Sequence, residues 1–315
     1  MAELINNCEL VKFPHTSLGL YFSLSRSNFI PHKFWEATHF RLKFFIRTLI
    51  MPVETFKILH MLTRHPAYAE LLMAQPRLPC RIHRPYLSTR ISNKERVSAI
   101  LHHYNVQTSF LGVDNFLKHI SNDGLIIARF VTKDNTHYSL HYISTYRLDR
   151  EGEASIILKN ASGKMLSEIS FTLCQRSGKN ALIVGGLQGP NYQNAQDIIQ
   201  QSTKNCHGLF PKRIVLEALT IVAHLQKVDE IYAVSNKAHV YRAMRYKNRT
   251  RHIHSDYDSF WDMSEGILQN DGHYILPVTI ARKNIEEVAS KKRAEYRRRF
   301  NLLDNMKAEI LSALS

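Results

Sequence analysis

Apolar residues recur along this chain at two different spacings, and the change from one to the other divides it. Phe34, Phe40, Phe44, Phe45, Leu49 and Ile50 return every three or four residues, the period of a helix, and Pro52 breaks the run. A second helix is predicted over 53–63, and Pro66 opens a third. Residues 78–89 hold Pro79 and Pro85 and predict a loop. Ser92-Asn93-Lys94-Glu95 has a Ser followed three residues later by a Glu, the pattern of a capping box, and predicts a helix to about Tyr104.

From residue 124 the spacing falls to two. Residues 125–131, 138–146, 154–160, 166–175 and 181–186 are short and rich in β-branched and aromatic side chains. Asp134-Asn135, Glu151-Gly152, Ser162-Gly163 and Ser177-Gly178-Lys179 separate them as turns. An antiparallel meander of about five strands is predicted. Ile169, Phe171 and Leu173 alternate with Glu168, Ser170 and Thr172, which predicts one solvated face. After Gly189-Pro190 the helical period returns at Ala195, Ile198 and Ile199, and again from Ile214 to Leu225, with Pro211 in the first turn. Residues 231–234 and 273–278 predict strands, 239–246 a short helix, and the tail from Glu286 a helix.

The predicted fold is α+β: an extension over 1–33, a basic helical region over 34–120, a mixed sheet domain over 121–280, and a basic helix over 281–315. A meander leading into strand, long helix, strand and short helix is the order of the acetyltransferase (GNAT-like) fold. The segment 215–246 resembles the half of that fold that holds acetyl-CoA. Those enzymes carry an Arg/Gln-x-x-Gly-x-Gly/Ala loop before the helix. Here the loop is Cys206-His207-Gly208-Leu209-Phe210-Pro211-Lys212-Arg213, which keeps one glycine.

Charge narrows the class of partner. The chain has 315 residues, 42 Lys and Arg against 27 Asp and Glu, and a formal net charge of +15. The excess lies in the helical front and in the tail, and it favours an acidic or phosphorylated partner: acyl-CoA, an anionic lipid surface or RNA. The bland alternative is a solvated basic surface. The hydrophobic fraction of 44% excludes wholesale disorder. Cys8, Cys80, Cys174 and Cys206 form no zinc spacing and read as reduced thiols. Met1 to Asn7 lacks a basic stretch leading into an apolar core, and the apolar run over 40–53 is too short and too charged to span a bilayer. The expectation is a cytoplasmic protein, with a peripheral place at the inner face of the inner membrane left open.

Several constellations carry candidate chemistry. Gly185, Gly186 and Gly189 either cradle a phosphate before a helix at Tyr192 or form a tight strand-to-helix turn. Gly208, Lys212 and Arg213 stand at a helix N-terminus, where backbone N–H groups favour an anion. Asn236, His239 and Tyr241 follow a strand end, the place where acyltransferase-like sheets splay around a cofactor; Tyr241 would be an acid there, and core or capping roles serve equally. His252, His254, Asp256 and Asp258 alternate, so a metal set or a hydrogen-bonded turn fits them, and Asp256 or Asp258 becomes a general base if burial raises its pKa. Cys206-His207 suggests a nucleophile and base, but adjacent side chains often diverge. Lys291, Lys292, Arg293, Arg297, Arg298 and Arg299 form a basic run spread around the tail helix, with Tyr296 and Phe300 as packing residues.

Over nearly its full length the sequence resembles the VirK/YbjX family of enteric bacterial proteins. The stretches that carry the match are His83-Arg84-Pro85-Tyr86-Leu87, Gly185-Gly186-Leu187-Gln188-Gly189-Pro190 and Gly208-Leu209-Phe210-Pro211-Lys212-Arg213. Ala233-Val234-Ser235-Asn236-Lys237-Ala238-His239-Val240-Tyr241, His254-Ser255-Asp256-Tyr257-Asp258-Ser259-Phe260-Trp261 and Ser290 to Arg299 extend it. The resemblance implies a virulence-associated accessory factor that supports production or surface display of an outer-membrane protein used in actin-based spread, with a link to envelope and antimicrobial-peptide stress. It brings no catalytic residues. Two other functions remain open from the residues: a CoA-dependent acyltransferase acting on an envelope precursor or a protein, and a post-transcriptional RNA-binding factor.

Overall fold

The computed structural model describes residues 13–246 and 256–315. The chain divides into two compact units, Met1–Arg84 and Pro85–Ser315.

The first unit is helical. Helix α1 (Ser17–Arg26) begins where Thr16 Oγ1 accepts the Gly19 N–H at 3.0 Å. It lies within the stretch that the sequence pattern assigned to an extension. Helices α2 (Thr38–Ile50), α3 (Pro52–Arg64, with Pro52 in its first turn) and α4 (Tyr68–Ala74) follow. Leu20, Leu24, Trp35, Phe44, Ile58 and Leu59 are fully or almost fully buried at its centre. Trp35 Nε1–H satisfies itself on the Pro76 carbonyl at 2.7 Å. The segment expected as a loop instead winds into a buried 3-10 turn, Leu78–His83, where His83 hydrogen-bonds with Thr55 at 2.9 Å.

The second unit is a sheet packed on helices. The Ser92 capping box forms as predicted, but helix α5 (Asn93–His119) runs far past Tyr104, interrupted at Gly112, whose φ is +67°. Strands β1 (Leu125–Val131), β2 (His137–Ile143), β3 (Ala154–Lys159), β4 (Met165–Arg176) and β5 (Lys179–Gln188) form the antiparallel meander. Helices α6 (Ala195–Asn205) and α7 (Pro211–Leu225) lead to β6 (Glu230–Val234). Helix α8 (Tyr257–Met263), the β7–β8 hairpin (Ile267–Leu268, His273–Leu276) and helix α9 (Ser290–Leu314) complete the unit. The strand order is β1-β2-β3-β4-β5-β6-β8-β7, and β5 with β6 is the parallel pair.

Among the described residues the sheet has no solvated face at its centre. Residues 166–174 of β4 are buried without a break, because α5 and α7 both pack on that strand. The polar residues of β4 bond internally instead: Ser170 with Ser155 at 2.8 Å, Thr172 with Tyr86 at 2.8 Å. The alternation in the sequence marks a buried polar layer. Helix α9 packs on α7 and β1 through Leu302, Leu303, Met306 and Ile310.

Candidate active site

Parallel strands need a crossover, and α6 and α7 supply it between β5 and β6. The pairing is short, from Ala181–Glu230 to Val184–Ala233. Beyond it β5 stays on β4 as far as Gln188, while the chain leaves β6 at Ser235. The β4–β5 register skips Gly185, since Phe171 faces Val184 and Ser170 faces Gly186; Gly185 is the extra residue of a bulge. The glycine pair therefore lies inside a strand rather than in a strand-to-helix turn, and neither residue has a positive φ.

Glu151 explains the glycines. It sits just ahead of β3, with its N–H on the Leu148 carbonyl at 2.8 Å, and it is fully buried. A β-carbon on Gly185 would overlap its backbone oxygen, and one on Gly186 its Oε2. Gln188 Nε2 donates to both carboxylate oxygens at 2.9 Å. Burial pushes the carboxyl up to about 7, against the Gln188 hydrogen bond and the charges of Arg147 and Arg150. At neutral pH the group both holds and releases a proton, as a general base must.

His239 arrives from the loop after β6. Its Nδ1 accepts the Tyr241 N–H at 3.4 Å, which assigns the proton of the neutral ring to Nε2. That nitrogen is buried, makes no hydrogen bond among the described residues, and stands 3.9 Å from Glu151 Oε1. Burial holds His239 down at about 4, helped by Arg242. The ring stacks on Tyr257, whose hydroxyl accepts the Leu187 N–H at 3.4 Å. Burial and the nearby Glu151 raise the Tyr257 and Tyr241 hydroxyls. Arg150 lies 4.7 Å from the Tyr246 ring centroid and 5.9 Å from that of Tyr241. The arrangement is a proton acceptor walled by rings and held away from bulk water.

Asn236 ties this centre to α8. Its N–H donates to Asp258 at 2.7 Å, its Nδ2 to Asp256 at 2.8 Å, and its Oδ1 accepts the Tyr257 N–H at 2.9 Å. Asp256 is the N-cap of α8 and exposed, and hydrogen bonds from Ser259 and Asn236 hold its carboxyl below the ordinary range. The condition that would make it a base, a raised pKa, is reversed. His252 and His254 lie outside the described residues. Among the described residues no group of three or more His, Cys, Asp or Glu is placed to hold a metal ion.

A second buried cluster borders the first. His273 Nε2 lies 2.9 Å from Ser88 Oγ, and its Nδ1 lies 3.1 Å from Asp271 Oδ2, the order of a Ser-His-Asp array. Ser88 is fully buried, its hydroxyl also reaches the Ala238 carbonyl at 3.3 Å, and Arg176 holds Asp271 from the other side. Ser88 bridges His239 in the backbone. The array is therefore a buttress that fastens the loop of His239 to β8.

The basic candidates fall elsewhere. Gly208, Arg213 and Arg299 meet at a cleft of about 410 Å3, with Arg282, Tyr296 and Phe300. Arg299 Nε donates to the His207 carbonyl at 2.9 Å, and Arg213 pairs with Glu217 at 2.9 Å. Lys212 is half-buried within electrostatic reach of Asp256, so the α7 N-terminus borders the Asn236 network. Lys291, Lys292, Arg297 and Arg298 are exposed, whereas Arg293 caps the carbonyls of Val288 and Glu286 at 2.9 and 2.8 Å. Gly189 stands apart, with Ile199 at 4.0 Å as the nearest neighbour of a β-carbon there. Cys174 and Cys206 are buried, and burial pushes both thiols up to about 12, which removes Cys206-His207 as a nucleophilic pair.

Glu151 and Tyr257 escaped the sequence reading. Glu151 was assigned to a turn with Gly152. The available signal was the adjacent pair Gly185-Gly186 inside a strand pattern, which marks a close approach by another group.

These features define an α+β protein with a buried Glu151–His239 pair at the parting of a parallel strand pair. The chain belongs to the DUF535 family, described as a protein of unknown function, whose model matches residues 33–312. It is 41% identical over 295 residues to uncharacterized protein YbjX of Escherichia coli (strain K12), spanning 94% of this chain and 89% of YbjX, which places it in the VirK/YbjX family. An uncharacterized protein of Haemophilus influenzae is 27% identical over 225 residues, spanning 71% of this chain and 73% of that protein. Membrane protein LapB of Mannheimia haemolytica is 26% identical over 178 residues, spanning 53% and 71%. Among the described residues no helix is long and apolar enough to cross a membrane.

Proposed function

We propose that the protein is an acyltransferase that takes an acyl-CoA donor and an envelope precursor or protein as acceptor, with Glu151 as its general base. The observation that carries this reading is the buried Glu151 carboxyl, poised at about 7, where β5 and β6 part. An amine or hydroxyl attacking a thioester must lose a proton, and Glu151 accepts it, a step that requires the wall of Tyr241, Tyr246 and Tyr257 to open for the acceptor. Tyr241 is the hydroxyl that returns a proton to the departing thiolate. Past Val184 the main chain of β5 parts from β6, and the amide-bearing arm of CoA would take the Leu187 N–H in place of the Tyr257 hydroxyl. Lys212, near Asp256 and Asn236, is the cation for the phosphates. The GNAT-like order of elements supports the same reading.

Calorimetry with acetyl-CoA and longer acyl-CoAs tests it, paired with thiol release in the presence of envelope extract. Binding is expected in wild type and in Glu151→Gln, with release lost in the variant. Failure of every chain length to bind sinks the proposal.

The cellular role follows from the family likeness: a cytoplasmic accessory factor supporting outer-membrane protein production or display, with its link to virulence and envelope stress. The name of the Mannheimia relative fits an envelope setting. A deletion strain complemented with wild type or Glu151→Gln tests this link. Unchanged outer-membrane protein level and distribution after deletion would remove it.

A further inference from the structure

Helix α2 buries only one of its faces. Phe44 and Thr48 are buried in the first unit. On the other side Leu42, Phe45, Ile46, Leu49 and Ile50 meet solvent, with Leu42 56%, Leu49 62% and Ile50 71% exposed; Val53, 61% exposed, follows at the start of α3. At about 100° per residue, positions 42, 45, 46, 49 and 50 form one stripe. The helical periodicity of this segment thus belongs in large part to the surface. Such a contiguous apolar patch marks an interaction site.

Charge selects the occupant. Helix α2 contains Arg41, Lys43 and Arg47 and no acid. Exposed Lys43 flanks the stripe, and exposed Lys57 lies on α3 one turn after Val53. A second copy would press two faces of the same positive sign together. RNA would answer the charge and leave the apolar row wet. An anionic bilayer surface answers both. We propose that α2 lies in the surface of an anionic lipid bilayer, its stripe at the acyl boundary and Lys43 and Lys57 among the phosphates. Thirteen residues make a helix of about 20 Å, too short to cross a bilayer and long enough to lie in one. The proposal stands without the acyltransferase reading, since vesicle binding and acyl-CoA calorimetry fail independently.

Flotation of the full-length chain with vesicles of phosphatidylglycerol and phosphatidylethanolamine, against phosphatidylcholine alone, is the test. Binding is expected at least tenfold stronger to the anionic vesicles and weaker in high salt. Leu49→Gln with Ile50→Gln should lose at least tenfold with an unchanged melting temperature. Lys43→Gln with Lys57→Gln should lose the preference for anionic lipid. No flotation, equal binding to both vesicles, or wild-type flotation of the Leu49/Ile50 variant overturns the proposal. So does a dimer in sedimentation that the Leu49/Ile50 variant breaks, which assigns the stripe to a second copy. A lower melting temperature in that variant also overturns it, because the stripe is then covered by the protein itself.

Discussion

The side chain of Glu151 occupies the space that a β-carbon on Gly186 would fill. Gly185, beside it, is open to the backbone oxygen of the same glutamate. One glycine thus makes room for a side chain and the other for main chain, and the two respond differently to repair.

Gly186→Ala should destabilise by about 1–3 kcal/mol through overpacking against the carboxylate. Adding Glu151→Ala removes the obstructing atoms, so the double variant should be more stable than the two single losses sum to. Gly185→Ala meets a carbonyl that no side-chain change moves, and Glu151→Ala should not rescue it. Urea denaturation of the three single and two double variants measures both couplings. Equal rescue of both glycine variants would contradict the geometry.

The raised Glu151 pKa sets a pH dependence. The unfolded chain releases this proton near 4.5, and the folded chain keeps it to about 7. Between those values the folded state binds more protons, so this group's contribution is full below 4.5, declines as pH rises through the window, and is level above it. The span amounts to roughly 3 kcal/mol. Glu151→Gln, which carries no charge, should melt about 5 °C above wild type at pH 8, with a much smaller gap at pH 5. A wild-type contribution that does not change between pH 5 and 8, shown by parallel melting curves of the two proteins, would contradict the burial of an ionisable carboxyl here.

What the sequence made legible follows from the range of the interactions. The Ser92–Glu95 box is a local device, and α5 starts there. Strand β1 spans the residues that its β-branched and aromatic content predicted. The buried polar layer of β4 was misread as solvated because alternation reports polarity, and Tyr86, which satisfies Thr172, is 86 positions away in sequence. Glu151 was hidden for the same reason: its neighbours Gln188 and His239 come from other elements. The stripe on α2 shows the converse, since helical spacing is visible in sequence while the side that faces water is not.

The Ser88–His273–Asp271 array offers a separate check on what counts as chemistry. A nucleophilic serine needs access and a base free to turn over protons. Ser88 is fully buried, and burial lowers the His273 pKa while Asp271 opposes that. A fluorophosphonate probe should leave Ser88 unlabelled in the folded protein. Ser88→Ala should cost about 1–2 kcal/mol by stranding the His273 nitrogen. Labelling of Ser88, abolished by His273→Asn, would instead make the array an active site.

The tail separates structural bases from exposed ones. Arg299 donates to the His207 carbonyl and lies 4.3 Å from the Tyr296 ring centroid, so it fastens α9 to the loop before α7. Arg299→Gln should lower stability by about 1 kcal/mol. Lys291, Arg297 and Arg298 face solvent, and replacing all three by Gln should leave stability within about 0.5 kcal/mol of wild type. Their charges add together against an acidic partner and screen with salt, so the triple variant should lose function while keeping its fold. The measurement is complementation of a deletion strain at matched protein level, alongside thermal melts. Full complementation by the triple variant would show that this part of the basic run only solvates the helix, and would leave Arg293 and Arg299 as the bases of the run that hold structure.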